Sequence, residues 1–73
     1  MAKIEVQSEV QGSVWKVLVQ VGDAVEEGAT LMLVESMKME IPVVASEGGT
    51  VAEILVAPSE PVAEGQVVIV LHA

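Results

Sequence analysis

The two halves of the sequence repeat each other. Residues 1–36 align without a gap onto residues 38–73. The identical positions are Ile4/Ile41, Val6/Val43, Gly12/Gly49, Val14/Val51, Leu18/Leu55, Val19/Val56, Val25/Val62, Glu27/Glu64 and Gly28/Gly65. A repeat of so long a period in only two copies is not typical of a solenoid. The sequence therefore predicts two intertwined halves related by a pseudo-two-fold axis.

Each half has the pattern of short β-strands. Valine dominates the apolar residues, and β-branched residues favour strands. Apolar residues such as Ile4 and Val6 recur at even spacing, as in a strand with one buried face. Glycine and proline separate the apolar runs and indicate turns. The predicted strands are Lys3–Gln7, Ser13–Gln20, Thr30–Ser36, Met39–Val44, Thr50–Val56 and Val67–His72.

Residues 21–28 and their copy, residues 58–65, are predicted to be compact turns, with Val25 pointing back as an anchor. Residues 23–26 do have the spacing of a helix capping box. No long apolar run with helical periodicity follows them, so a turn is favoured over a helix. The expected fold is all-β, a sandwich or flattened barrel.

Composition and charge exclude several classes of function. The formal net charge is −8, with only three basic residues, whereas nucleic acids and anionic membranes attract clustered cations. Without cysteine, and with His72 as the only histidine, we expect no disulfide, no metal site and no nucleophile–base pair, so the chain should not be an enzyme alone. No apolar run approaches the ~20 residues of a membrane span. The first residues lack a secretory signal pattern, and a cytoplasmic protein is expected.

The repeat also predicts where Lys38 lies. Residue 1 aligns with residue 38, so the chain ends of one half occupy the place that the Met37-Lys38 turn occupies in the other. We therefore expect Lys38 at a hairpin tip at one end of the domain, and the two termini together at the opposite end. A lysine at such a tip offers an exposed amine on a long flexible stem, which suits covalent attachment of a carried group.

The residues around this lysine are Glu35-Ser36-Met37-Lys38-Met39-Glu40. They resemble the attachment site of the biotinyl domain family, the biotin carboxyl carrier proteins within the wider biotin/lipoyl attachment family. The resemblance covers nearly the whole chain and implies a single domain over 1–73. It also implies a flattened barrel or sandwich hybrid of two small antiparallel sheets with pseudo-two-fold symmetry.

In that family the lysine is covalently biotinylated, so Lys38 is the expected attachment site. The resemblance makes Met37 and Met39 recognition elements for the ligase and neighbours of the bound biotin. Glu35, Ser36 and Glu40 are the further expected ligase contacts. The implied partners are a biotin protein ligase, a biotin carboxylase and a carboxyltransferase, between which the carrier would move carboxybiotin. The acceptor that is finally carboxylated is left open.

Two other functions share the fold. A lipoyl carrier of the 2-oxo acid dehydrogenase or glycine-cleavage systems also has a hairpin lysine, but typically within Asp-Lys-Ala instead of Met37-Lys38-Met39. A module of a membrane-fusion adaptor would lack the lysine motif and contain long helical hairpins.

The chain departs from the family pattern in three places. Ser36 replaces a frequent alanine, residues 8–12 replace a proline-containing turn, and Ser59-Glu60 replaces a second Gly-Asp pair. The ungapped repeat also predicts that the protruding thumb insertion of some bacterial relatives is absent.

Overall fold

The computed structural model describes residues 2–73, and Met1, the counterpart of Lys38 in the repeat, lies outside the described residues. The described chain forms eight strands and two four-stranded antiparallel sheets. The strands are β1 (Lys3–Gln7), β2 (Gly12–Val17), β3 (Ala24–Val25), β4 (Thr30–Ser36), β5 (Met39–Val44), β6 (Gly49–Ile54), β7 (Pro61–Val62) and β8 (Val67–His72). One sheet has the order β1-β8-β6-β3, and the other has the order β5-β4-β2-β7.

The two sheets have the same architecture. The repeat aligns β1 with β5, β2 with β6, β3 with β7 and β4 with β8, and this exchange converts one strand order into the other. The irregularities in strand register also occur at equivalent positions of the two halves. The register shifts at Trp15 in β2 and at Ala52 in β6, and again at Leu31 in β4 and Val68 in β8. The predicted all-β fold with pseudo-two-fold symmetry is therefore confirmed.

The hydrophobic core fills the space between the sheets. Aliphatic side chains from both halves supply it, together with one methionine. The buried cluster comprises Ile4, Val6, Val14, Leu31, Met32, Val34, Val43, Ala45, Val51, Val56, Val62, Val68, Ile69 and Leu71. Each fully buried side chain of this size contributes roughly 1.5–3 kcal/mol. The core anchors β4 and its counterpart β8 equally, because Leu31, Met32 and Val34 are completely buried and so are Val68, Ile69 and Leu71. Of these two strands, β4 leads directly to Lys38.

The predicted strand bounds are confirmed for β1, β4, β5 and β8. The predictions for the other two strands were too long at their C-terminal ends, since β2 ends at Val17 and β6 ends at Ile54. The apolar pattern continues into the next segment, where Leu18 and Leu55 are nevertheless about half exposed. The Leu18 and Leu55 N–H groups make one further backbone hydrogen bond each, to the carbonyl oxygens of Leu31 and Val68. The regular strands end there although the sequence remains valine- and leucine-rich.

The two strands that sequence reasoning missed are β3 and β7. Each has only two residues and lies inside a segment predicted as a turn. Ala24 pairs with Thr50, and Val62 pairs with Gly12, so each short strand adds an edge to a sheet of the other half. Val25 packs against the core as expected, and no helix forms in residues 2–73.

The turns before β3 and β7 explain one departure from the family pattern. Asp23 Oδ2 accepts a hydrogen bond from the Gln20 N–H at 2.9 Å, and Glu60 Oε1 accepts one from the Ala57 N–H at 2.6 Å. Glu60 therefore accepts the same type of turn hydrogen bond as Asp23. Ser59 takes the place of a glycine and retains its left-handed backbone, with a φ of 76°.

Gly28 and Gly65 lie in equivalent turns after the short strands. Their φ angles are 85° and 86°, in the left-handed region that favours glycine. Both halves therefore place a glycine-favoured turn at the same position of the repeat.

The termini meet at one end of the molecule. The Ala73 N–H donates to the Ala2 carbonyl at 2.9 Å, and the Ala2 N–H donates to the Ala73 carbonyl at 3.2 Å. From there β1 carries the chain to residues 9–12, which line a groove beside Met37. The Met37-Lys38 turn, hereafter the lysine pole, thus lies at the opposite end from Ala2 and Ala73, as predicted. The molecule measures 36 × 19 × 19 Å.

The lysine hairpin as candidate attachment site

Lys38 lies in a two-residue turn between β4 and β5. The two strands pair without interruption up to Ser36 and Met39, which face each other across the hairpin. The residues between them have positive φ angles, 53° for Met37 and 66° for Lys38. Positive φ at both central residues is the requirement of a type I′ turn, whose twist matches that of the strands. The turn therefore holds the Lys38 backbone in a defined orientation at the extreme end of the hairpin.

The side chains at this turn are free of the core. Lys38 is exposed, Met37 is 92% exposed and Met39 is 61% exposed. Large apolar side chains that fill no gap in the core contribute little to stability. The two methionines form an apolar, pliable surface on either side of the amine.

The remaining predicted site residues lie directly behind the turn. Glu35 is paired with Glu40 across the hairpin, and Ser36 is half-buried opposite Met39. Two carboxylates directly opposite each other on a sheet face repel. The backbone of Met37 and Lys38 costs further free energy, because side-chain-bearing residues disfavour the left-handed region. The hairpin thus carries both a like-charge pair and a strained turn where neither is needed to form the strands.

Gly12, which sequence reasoning did not assign to the site, supports the hairpin by packing against β4. Gly12 in β2 packs so closely on β4 that a Cβ atom would collide with the carbonyl oxygen of Glu35 and come within 3.0 Å of Val34 Cγ1. Only glycine permits this approach, which brings Ser13 into register with Glu35. The repeat could have indicated this constraint, because Gly12 aligns with Gly49. Gly49 has the same constraint, because its Cβ would lie 2.5 Å from the carbonyl oxygen of His72.

A shallow, open groove runs beside the lysine pole and was not anticipated. Its volume is about 550 Å³. The lining comprises Glu9, Val10, Gln11, Gly12, Glu35, Ser36, Met37 and Glu64. The first four belong to the segment that replaces the family's proline-containing turn. This departure from the family pattern was the only sequence feature that could have indicated the groove.

The chemistry available at this site is that of one accessible primary amine. Within residues 2–73 no group of three or more histidine, cysteine, aspartate or glutamate residues is arranged to hold a metal ion. The same part of the chain contains no helix long and apolar enough to cross a membrane. A small all-β scaffold that presents one lysine at a type I′ hairpin tip has the architecture of an attachment domain for a covalently bound cofactor.

Comparison with known proteins agrees with this class. The family model described as "Biotin-requiring enzyme" matches residues 3–71. A biotin/lipoyl attachment protein of Bacillus subtilis is 42% identical over 66 residues, which cover 90% of each chain. A biotin carboxyl carrier protein of Streptococcus mutans is 48% identical over 54 residues, covering 74% of this chain and 42% of the relative.

Among solved structures, the urea carboxylase of Kluyveromyces lactis superposes with a TM-score of 0.93 at 35% identity. The superposition covers 99% of this chain but only 6% of the carboxylase. The present chain therefore corresponds to one small part of that enzyme. On the family match and these relatives, the chain belongs to the biotin/lipoyl attachment family of biotin-requiring enzymes.

Proposed function

We propose that the chain is a biotin carboxyl carrier, biotinylated on Lys38, that moves a carboxyl group between a biotin carboxylase and a carboxyltransferase. The observation that carries the proposal is the exposed Lys38 at a two-residue turn between two exposed methionines. Membership of the family and the names of the relatives support biotin as the cofactor.

Attachment requires Lys38 to act as a nucleophile. The neutral Nζ attacks the acyl carbon of biotinyl-adenylate held by a ligase, an amide C–N bond forms, and the C–O bond to the phosphate breaks. AMP leaves, and the nitrogen loses one proton. The protein's contribution is to expose the amine and to fix the direction in which the Lys38 stem leaves the backbone, which the turn does through two positive φ angles. Met37 and Met39 would contact an apolar surface of the ligase beside the reacting amine.

After attachment, biotin supplies the ureido group that accepts and releases the carboxyl group. The chain supplies position and reach. Its rigid two-sheet body carries the lysine pole at one end, and the flexible lysine stem extends the reach of the biotin ring. A tethered group visits separate active sites at a high effective concentration. The acceptor of the carboxyl group is not defined by these residues.

The methionines also distinguish biotin from lipoate. Both carriers share the fold, and both need an exposed lysine, so neither feature can select the cofactor. An aspartate at position 37 would bring a charge that must remain hydrated or paired, which disfavours an apolar ligase surface. Met37→Asp combined with Met39→Ala should therefore reduce biotinylation sharply and favour lipoylation. Both side chains are largely exposed, so the fold should be unaffected.

Intact mass spectrometry tests the proposal. The unmodified chain is incubated separately with a biotin ligase and a lipoate ligase, each with its cofactor and ATP. We expect one added biotin, none in Lys38→Arg, and normal labelling in Lys3→Arg as the matched control. Biotin addition to Lys38→Arg would refute the assignment of the site. Lipoate addition to the wild-type chain without biotin addition would favour the lipoyl carrier instead.

A further inference from the structure

The repeat provides an internal comparison of the two outer sheet faces. Equivalent positions have equivalent backbones, so a residue that the fold requires should appear in both halves. Trp15, the only aromatic residue, lies at the register shift in β2, and its counterpart at the equivalent shift in β6 is Ala52. The fold is therefore satisfied by alanine at this bulge, and the indole needs another explanation.

Trp15 points away from the core. It is 48% exposed, whereas its neighbour Val14 is buried. The Lys16 Nζ lies 5.9 Å from the centroid of its ring, over the same face of the sheet. A bulge turns a side chain outward in this way and is a common means of aiming it.

The indole belongs to a continuous surface. Lys16 is paired with Leu33, and Leu33 is paired with Pro42, so these three side chains share the outer face of the sheet β5-β4-β2-β7. We name Trp15, Lys16, Leu33 and Pro42 the tryptophan face. On the other sheet the equivalent positions are Ala52, Glu53, Val70 and Glu5, which place two carboxylates around a buried valine. The exposed side chains among these four are the two carboxylates, and no exposed aromatic side chain is present there.

The tryptophan face leads directly to the lysine pole. The next row of outward side chains toward the tip consists of Ser13, Glu35 and Glu40. At ~3.4 Å per residue, Leu33 lies within about 17 Å of Lys38 along the strand. The body is only 19 Å wide, so a protein partner that covers about 800 Å² of this molecule must extend beyond the turn along a sheet face, and on this face such an extension includes the indole.

We propose that the tryptophan face is the docking surface for the biotin protein ligase, with the indole as its anchor. The inference rests on the proposed function of Lys38. The ligase is favoured over the carboxylase components because it reacts with Nζ itself, at the end of a bare lysine stem, and so must approach the sheet closely. The carboxylase components react at the far end of the longer biotinyl arm. The complementary ligase surface would offer an apolar recess to the indole and a cation to the Glu35–Glu40 pair, whose charges are otherwise unfavourable.

Steady-state biotinylation tests the docking surface, with the unmodified chain as the varied substrate and mass as the readout. Tryptophan is a frequent interface anchor, and we expect Trp15→Ala to raise KM about tenfold or more. The value of kcat should be little changed, because Lys38 and its turn are intact. Leu55→Ala is the matched control, since Leu55 is an exposed apolar residue of similar exposure in the other half. Its KM should remain that of the wild type.

A second variant moves the indole instead of deleting it. Trp15→Ala combined with Ala52→Trp keeps the composition and places tryptophan at the equivalent bulge of the other sheet. We expect its KM to remain as high as that of Trp15→Ala. A wild-type KM in Trp15→Ala, or full recovery in the double variant, would overturn the inference while leaving Lys38 as the attachment site. Absence of labelling in the wild type would overturn both proposals.

Radical footprinting gives an answer that does not depend on a substitution at Trp15. The complex is trapped with Lys38→Ala, which cannot accept biotin, and ligase loaded with biotinyl-adenylate. Protection of Met37 and Met39 from oxidation reports engagement of the turn, and simultaneous protection of Trp15 supports the docking surface. Protection of the methionines with full oxidation of Trp15 contradicts it.

Discussion

Met37→Asn should stabilise the turn that presents Lys38 and yet slow its biotinylation. Met37 has a φ of 53°, in the region where a side-chain-bearing residue costs roughly 1–2 kcal/mol. Asparagine tolerates this region better and is preferred at the first central position of type I′ turns. Since Met37 is 92% exposed, its replacement removes almost no buried apolar area. Met37→Asn should therefore increase the free energy of unfolding by about 0.5–1 kcal/mol, part of the strain being relieved.

Thermal unfolding of the unmodified chain, followed by far-ultraviolet circular dichroism, measures this effect. A gain of that size corresponds to an increase in Tm of about 2–8 °C for a domain of this length. Met39→Asn is the matched control, because it makes the same chemical change at an exposed residue of β5 that is not among those with positive φ. Asparagine is disfavoured in strands, so this variant should be no more stable than the wild type.

The same two variants separate stability from function. If Met37 contacts the ligase, Met37→Asn should be biotinylated more slowly although it is more stable. Equal or lower Tm for Met37→Asn relative to Met39→Asn would show that backbone strain at position 37 is not a significant cost. Faster biotinylation of Met37→Asn would show that the turn, and not the methionine, is what the ligase recognises.

Three further substitutions test the steric contact, the backbone strain and the charge repulsion described above. Gly12→Ala should destabilise the chain by about 1–3 kcal/mol because its Cβ would collide with the Glu35 carbonyl, whereas Gly48→Ala, with its nearest contact at 3.4 Å, should be much milder in the same urea titration. Ser59→Gly should raise the urea midpoint slightly, since it relieves a φ of 76°; a lower midpoint would contradict that. Glu35→Gln should stabilise by roughly 0.2–0.5 kcal/mol at low salt by removing the repulsion from Glu40, and a gain that persists in 1 M salt would exclude this cause.

The sequence predicted the architecture well because the repeat supplied long-range information. Alternation of apolar residues such as Ile4 and Val6 identifies strands, but it cannot say which strands pair. The alignment of residue 1 with residue 38 gave the position of the hairpin relative to the termini, and the hydrogen bonds between Ala2 and Ala73 agree with it. Strand ends were less predictable, since Leu18 and Leu55 continue the apolar pattern beyond the ends of β2 and β6.

The site was only partly predictable for a different reason. The six residues around Lys38 are neighbours in sequence, so their proximity followed directly from a hairpin. The close approach of Gly12 to Glu35 and the groove formed with residues 9–11 depend on how β2 packs beside β4. No local pattern encodes that distance. Likewise, β3 and β7 have two residues each, which is too short for any periodicity to be detected.

The duplicated backbone finally separates what the fold requires from what it merely permits. Gly12 and Gly49, and Gly28 and Gly65, occur in both halves because steric contact or positive φ demands them in each. Trp15 occurs once, at a bulge that its counterpart fills with alanine. The charge pair behind the turn also occurs in only one half. Glu35 faces Glu40 across the hairpin, whereas the equivalent positions of the other sheet hold His72 and Lys3. These one-sided residues converge on the lysine pole, and two of them oppose stability there. The contacts with a ligase proposed above would account for that arrangement, which folding alone does not require.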